Sequence, residues 1–124
     1  MIKYPTIDEI ILTNQQILKL IRVKKADSHK LLGTRYQIQE IINKSKHKKG
    51  NVYTKATVLL KELTTKHLFA SGNRRTAYSV ATHFIKRNNK NSKNKIISPE
   101  NLDIFKKIRY GRVSNEDISK WLKK

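Results

Sequence analysis

The sequence predicts an all-α fold, a compact bundle of about six helices forming a single domain over residues 1–124. Three observations support this prediction. Apolar residues recur at intervals of three and four in successive segments. Residue types that favour helix starts precede several of those segments. No segment of useful length alternates apolar and polar residues as a strand would, and the sequence shows no internal repeat.

The first helix begins at a capping box made by Thr6 and Glu9. It should extend to about Arg22. Its helically spaced apolar positions are Ile7, Ile10, Ile11, Ile17, Leu18 and Ile21. Periodicity then fails and charge rises between residues 23 and 33, which predicts a turn or an exposed loop, with Ser28 as a candidate short helical start.

The next two helices are separated by a basic linker, residues 47–51, which contains Gly50. The second helix starts at another capping box, Thr34 with Gln37, and should end near Ser45. Its buried stripe is Ile38, Ile41 and Ile42. The third helix should span residues 53–66 and bury one face, made of Tyr53, Ala56, Leu59, Leu60 and Leu63.

The fourth helix should start at Asn73 or Arg74, with Asn73 as the candidate N-cap. Its predicted core residues are Ala77, Val80, Ala81 and Phe84. Residues 88–95 are a run of Asn, Lys and Ser without apolar residues, which predicts a flexible basic loop.

The last two helices complete the bundle. Ser98 followed by Pro99 is a typical helix start, and Gly111 should end that fifth helix. Leu102, Phe105 and Ile108 should pack inward. Ser114 and Asp117 open the sixth helix, whose Ile118, Trp121 and Leu122 should cover one side of the core.

Charge dominates the composition. The chain has 28 Lys and Arg against 9 Asp and Glu, a formal net charge of +19. Such a field attracts nucleic acid, nucleotides and acidic proteins, although a solvated Lys-rich surface would give the same count. No apolar run approaches the roughly 18 residues of a membrane span, and the N-terminus lacks the apolar core of a signal peptide, so a cytoplasmic protein without a membrane partner is expected.

Metal-binding residues are sparse. The sequence has no cysteine, which excludes disulfides and thiolate metal sites, and its four histidines are too scattered to suggest a zinc site. Any metal would therefore be bound by oxygen, and magnesium is the one expected.

The stretch from His67 to Thr76, HLFASGNRRT, lies at the junction between the third and fourth helices. An anion at Gly72, Asn73 and Arg75 would meet the unpaired N–H groups and the positive dipole end of the fourth helix. His67 alone is more simply a half-buried structural residue at a helix end. Next to this loop, it becomes a candidate catalytic residue.

The residues at fixed spacing in this junction are His67, Phe69, Gly72, Asn73, Arg75, Thr76 and Ala77. They resemble the signature of the Fic/Doc family, written HxFx(D/E)GNGRxxR in Fic enzymes and HxFx(D)(A/G)NKRTA in the Doc (death-on-curing) subgroup. The core of the resemblance spans residues 56–77. Four positions depart from the signature: Leu68 for the frequent Pro, Ser71 for the acid, Arg74 for Gly or Lys, and Tyr78 for the second Arg of Fic.

The resemblance implies a Fic/Doc-like core and a transferase that uses ATP or another NTP. It makes His67 the general base that takes a proton from a target hydroxyl. Gly72 and Asn73 would bind phosphate oxygens through backbone and side-chain donors, and Arg75 would add a forked cation, with Arg74 as a further one. In the family, a flap that docks the target lies before the second long helix, which places it within residues 23–33.

Phe69 is expected to anchor the loop in the core, because an apolar side chain cannot contribute directly to the transfer. Arg74 and Tyr78 resemble the Doc pattern, which favours phosphoryl transfer over AMP transfer. Doc is a toxin that acts on a translation factor, so the implied target is a Ser, Thr or Tyr hydroxyl of a protein in the translation machinery. The family's inhibitory pattern, (S/T)xxxE(G/N), is absent from the sequence, so a separate antitoxin chain is an expected partner.

Ser71 leaves alternatives open. The acid at this position in the family binds magnesium, and a hydroxyl is a much poorer ligand because it brings no charge. Either Arg74 and Arg75 neutralise the phosphates without a tightly bound metal, or the site is impaired. An impaired protein would act as a binding module, for nucleic acid through the basic loops 44–49 and 86–95, or for an antitoxin.

Overall fold

Six helices and no sheet make up the fold in residues 1–20, 30–89 and 99–123, which the computed structural model describes. The helices are α1 (Ile7–Leu20), α2 (Arg35–His47), α3 (Val52–Thr65), α4 (Asn73–Asn88), α5 (Pro99–Arg109) and α6 (Asn115–Lys123). Within these residues the β-type pairing is a single antiparallel bridge between Leu31 and Phe69. The predicted all-α class is confirmed.

The predicted capping boxes set the helix starts. Thr6 Oγ1 accepts a 3.1 Å hydrogen bond from the Glu9 N–H, and Thr34 and Gln37 form the full reciprocal pair at the start of α2. α2 runs two residues past the expected end at Ser45. The predicted end of α1 near Arg22 and the candidate start at Ser28 lie outside the described residues.

α3 is the central helix, packed against α2, α4, α5 and α6. Of its predicted core residues, Ala56, Leu59, Leu60 and Leu63 are buried and Tyr53 is half-buried. Burial extends beyond that one face, because neighbours on several sides also cover polar positions. Its buried residues are Lys55, Ala56, Thr57, Val58, Leu59, Leu60, Glu62, Leu63 and Thr64.

Lys55 shows how a cation is accommodated inside this helix. Its Nζ donates to the carbonyl oxygens of Lys46 at 3.0 Å and Lys48 at 2.7 Å, at the C-terminal end of α2. The Ser45 hydroxyl donates back to the Lys55 carbonyl at 2.9 Å. A positive charge at a helix C-terminus interacts favourably with the negative end of the helix dipole. Lys55 of α3 therefore stabilises the contact between α2 and α3.

α4 begins at Asn73, as expected, but Asn73 is not its N-cap. That position belongs to Gly72, which is left-handed at φ +74° and makes no side-chain capping bond. The predicted core residues Ala77, Val80, Ala81 and Phe84 are all buried. Asn88 is the last residue of α4, and residues 90–95 of the predicted basic loop lie outside the described residues.

α5 and α6 close the bundle over α3 and α4. Phe105, Ile108, Ile118 and Leu122 are buried as predicted, and Trp121 is half-buried, while Ser98 and the Leu102 side chain lie outside the described part of the chain. Tyr78 packs its ring 6.3 Å from Phe105 and 5.8 Å from Trp121, measured between ring centroids. Burial raises the pKa of Tyr78 to about 12. Over the described residues, the helices are too short or too polar to span a bilayer.

Candidate anion-binding site

The loop between α3 and α4, residues 66–72, is held on one side by the segment before α2. Leu32 N and Gly33 N donate to the Leu68 carbonyl at 2.7 and 3.0 Å, and Ala70 N donates to the Lys30 carbonyl at 2.9 Å. An exposed loop is expected for residues 23–33. Its last part, residues 30–33, is instead an extended segment paired with residues 68–70. Leu68, which stands where the resemblance has Pro, is buried at this contact.

Asn73 holds the loop from within. Its Oδ1 accepts from Phe69 N at 3.0 Å and its Nδ2 donates to the Phe69 carbonyl at 2.7 Å. Phe69 itself is only 1% exposed, in the main core cluster. Because the Asn73 side chain is engaged in this way, its contribution to an anion site would come from the backbone N–H rather than from the amide group.

α1 forms the floor beneath the same loop through Asn14. This residue is 0% exposed, and its Nδ2 donates to the Ser71 carbonyl at 2.9 Å and to Thr76 Oγ1 at 3.0 Å. A Cβ at Gly72 would lie 3.0 Å from Leu18 Cδ2, so a side chain there would crowd α1 as well as strain the positive φ. Sequence analysis missed Asn14, although a polar residue on the apolar stripe of α1 was the available signal.

His67 follows α3 in a left-handed conformation, with φ +52°, and its side chain is exposed rather than at the edge of the core. Its Nδ1 lies 3.4 Å from Asn73 Nδ2. Since the bonds to Phe69 fix the orientation of the Asn73 amide, an N–H faces Nδ1, and of the two neutral tautomers this favours the one that carries its proton on Nε2. The contact is long and therefore weak.

A pocket of about 530 Å³ opens where these elements meet. It is lined by Thr64, Thr65, His67, Ala70, Ser71, Gly72, Asn73, Arg74, Arg75 and Arg109. Of the described residues that line the pocket, three are Arg and none is Asp or Glu. The first turn of α4 adds the positive end of its dipole, because the helix ladder starts only at the bond from Thr76 N to the Gly72 carbonyl, 2.9 Å long. The pocket is therefore suited to an anion.

Thr64 supplies a further polar group at the pocket wall. Among the buried side-chain polar atoms of the described residues, the Thr64 hydroxyl is the one that lacks a hydrogen-bond partner. Buried hydroxyls normally have one, and an unsatisfied group often marks a place where a ligand or water belongs. This hydroxyl lies one turn before His67, at the end of α3.

The structure brings the predicted site residues together. His67, Ser71, Gly72, Asn73, Arg74 and Arg75 all line the pocket, and Phe69 lies beneath it in the core. Tyr78, which stands where Fic enzymes have a second Arg, belongs to the buried aromatic cluster instead. Sequence analysis missed Arg109, because nothing in the local pattern of α5 shows that its last turn reaches the end of α3.

The described lining of the pocket does not fit a magnesium ion. Magnesium is bound in proteins mainly through carboxylates, and Ser71 offers only a hydroxyl where the Fic/Doc signature has an acid. Within the described residues, no three His, Cys, Asp or Glu side chains are grouped so that they could hold a metal. These residues fit a bare anion better than a metal-bound one.

No protein-family model matches the chain, and no curated protein matches it significantly.

Proposed function

We propose that this protein is a Doc-like, toxin-type transferase that uses ATP to modify a hydroxyl of a target protein, with phosphoryl transfer favoured over AMP transfer. The observation that carries the proposal is the pocket at the N-terminus of α4, which collects Arg74, Arg75 and Arg109 with His67 at its rim. Transfer of a phosphoryl group depends mainly on positioning and charge neutralisation, and such a pocket supplies both.

In the proposed reaction, the target hydroxyl oxygen forms a bond to the γ-phosphorus of ATP, and the bond from that phosphorus to the β,γ-bridging oxygen breaks. ADP leaves, and His67 takes the hydroxyl proton. For Nε2 to accept it, the ring proton must be on Nδ1, so the ring has to give up its 3.4 Å contact with Asn73 Nδ2. That cost is small, because the contact is long.

The choice of transferred group rests on two residues. Arg74 lines the pocket where Fic enzymes have Gly, and Tyr78 is buried between α5 and α6 where they have Arg. By resemblance this combination is that of the Doc subgroup, which transfers phosphate. The proposal thereby extends to a protein of the translation machinery as target and to a separate antitoxin chain as inhibitor.

The extended segment at residues 30–33 supports a protein target. It pairs with residues 68–70, immediately after His67, and it lies in the region where the family has its target-docking flap. Leu32 is 56% exposed on this segment. A target chain docked there would have its hydroxyl close to the imidazole.

The test is incubation of the purified protein with cell lysate and ATP labelled on either the γ or the α phosphate. Labelling of a protein band from γ-labelled ATP alone is expected, and His67→Ala should abolish it. His83→Ala is the matched control, because His83 is exposed on α4 and does not line the pocket. Label from the α phosphate would show AMP transfer, and no label from either would contradict the proposal.

A catalytically impaired binding module is the second candidate, favoured by Ser71 in the pocket wall where the signature has an acid. The predicted basic loop 44–49 is the last turn of α2 and the two residues that follow it. Its lysines Lys44, Lys46, Lys48 and Lys49 are exposed, which would suit nucleic acid. Binding of this kind should weaken steeply as salt increases and should be unaffected by His67→Ala. Co-purification of a small acidic protein would instead favour a toxin relative that retains only its antitoxin partner.

A further inference from the structure

The turn that ends α5 presents an aromatic ring to solvent. Tyr110 is 57% exposed, whereas Phe105 and Ile108 of the same helix are buried. The guanidinium carbon of Arg109 lies 5.9 Å from the centroid of the Tyr110 ring, and that of Arg112 lies 5.6 Å from it. These are cation–π distances, so the two arginines and the tyrosine form one cluster.

The backbone of this turn is well fixed. Arg112 N donates to the Lys107 carbonyl at 2.8 Å, and Gly111 N donates to the Ile108 carbonyl at 3.1 Å, which together make a Schellman motif. Gly111 takes the left-handed conformation that this motif requires, with φ +66°. The ring is therefore carried by an ordered helix end, which lowers the entropy cost of stacking a ligand on it.

Arg109 connects the cluster to the anion pocket, because it lines that pocket and its guanidinium lies at cation–π distance from the Tyr110 ring. No aromatic residue other than His67 is among those lining the pocket in the described chain. A ligand that carries both phosphates and a flat ring could place the phosphates among Arg74, Arg75 and Arg109 and its ring on Tyr110. Inorganic phosphates would use only the pocket.

We propose that the α5 turn is the nucleobase half of the site: Arg109 binds the phosphate chain, and the exposed ring of Tyr110 stacks the base. This inference rests on the proposed function, since it assumes that the pocket accepts nucleotide phosphates. It adds that the site selects nucleotides over inorganic polyphosphate. It also predicts tolerance towards the identity of the base, because stacking uses the face of the ring and every base has one.

The test compares binding of ATP and of inorganic triphosphate by titration calorimetry. Tyr110→Ala is expected to weaken ATP about tenfold and to leave triphosphate unchanged, given the usual contribution of a base stacked on an aromatic side chain. Tyr110→Trp should restore ATP binding. Tyr36→Ala is the matched control, since Tyr36 is also exposed, on α2, and does not line the pocket.

Arg109→Ala should weaken the binding of both ATP and triphosphate. Lys106→Ala is its control, because it removes one positive charge from the same helix but outside the pocket. It should weaken the binding of either ligand by no more than the change in net charge explains. Equal loss of ATP and triphosphate in Tyr110→Ala, or no loss of either, would overturn the inference while leaving the proposed function standing. Absence of ATP binding by the wild-type protein would overturn both.

Discussion

The side-chain amide of Asn73 bonds both the N–H and the carbonyl of Phe69, and so ties the first residue of α4 to the middle of the preceding loop. The middle of that loop is thereby anchored in the core through the Phe69 ring, and the loop ends at the first turn of α4, which lines the pocket. The geometry of the pocket depends on this pair.

Replacing Asn73 with Ala should lower the free energy of unfolding by about 2 kcal/mol, because two buried backbone groups of Phe69 lose their partners. Urea denaturation measures the change. Asn43→Ala is the control, since Asn43 accepts a bond from Gln39 on the exposed side of α2, and its loss should cost less than about 0.5 kcal/mol. Equal losses for the two variants would mean that the loop does not depend on Asn73.

Asn14 of α1 should also stabilise the loop between α3 and α4, from the side that packs on α1. It donates to Thr76 Oγ1 and to the Ser71 carbonyl, and both residues involved in the first bond are 0% exposed. A double-mutant cycle with Asn14→Ala and Thr76→Val should give a coupling energy of about 1 kcal/mol. Additive effects of the two substitutions would show that α1 does not support the loop through this bond.

The helices of this fold were predictable where their signals are local. Thr6 with Glu9 and Thr34 with Gln37 act within one helical turn, so the sequence identifies those starts. The extent of burial around α3 was not predictable. Polar residues such as Lys55 and Glu62 interrupt its apolar positions, and only the surrounding helices show that they are buried too.

The residues of the candidate site likewise fall into those that local sequence predicts and those that only tertiary packing reveals. Six of its predicted residues are contiguous or nearly so in the chain, between His67 and Arg75, and a short loop followed by a helix must bring them together. Arg109 belongs to α5 and Asn14 to α1, so their positions next to this loop depend on tertiary packing. The N-cap prediction for Asn73 failed because the tertiary bonds to Phe69 use the side chain that would otherwise cap the helix.

Tyr78 predicts a pH dependence at the alkaline end. Its pKa is raised to about 12 in the folded protein, above the ordinary value of 10.0, because its hydroxyl is desolvated. The unfolded chain loses this proton first, so the stability associated with neutral Tyr78 is complete below pH 10 and is lost as the pH rises towards 12. Urea midpoints of wild type and Tyr78→Phe should therefore converge, or the variant should become the more stable, as the pH is raised from 9.5 to about 11.5. A constant difference over that range would contradict the assignment.

Ser71→Asp tests whether the side chain at this position faces bound phosphates. Ser71 lines the pocket with three arginines, and a carboxylate there would repel the phosphates of ATP. In the presence of a chelator, the variant should bind ATP about tenfold more weakly than wild type, a repulsion of roughly 1.4 kcal/mol. Magnesium should restore the affinity, because a carboxylate is the kind of ligand that this ion prefers.

Ser114→Asp is the matched control, since Ser114 caps α6 through its bond to Asp117 N and does not line the pocket. It adds the same charge and keeps a side chain suited to an N-cap, so ATP affinity should be unchanged with or without magnesium. If Ser71→Asp also left the affinity unchanged in the chelator, ATP phosphates would not lie beside residue 71. Weaker binding that magnesium failed to restore would show instead that the pocket excludes a metal even when an acid is supplied.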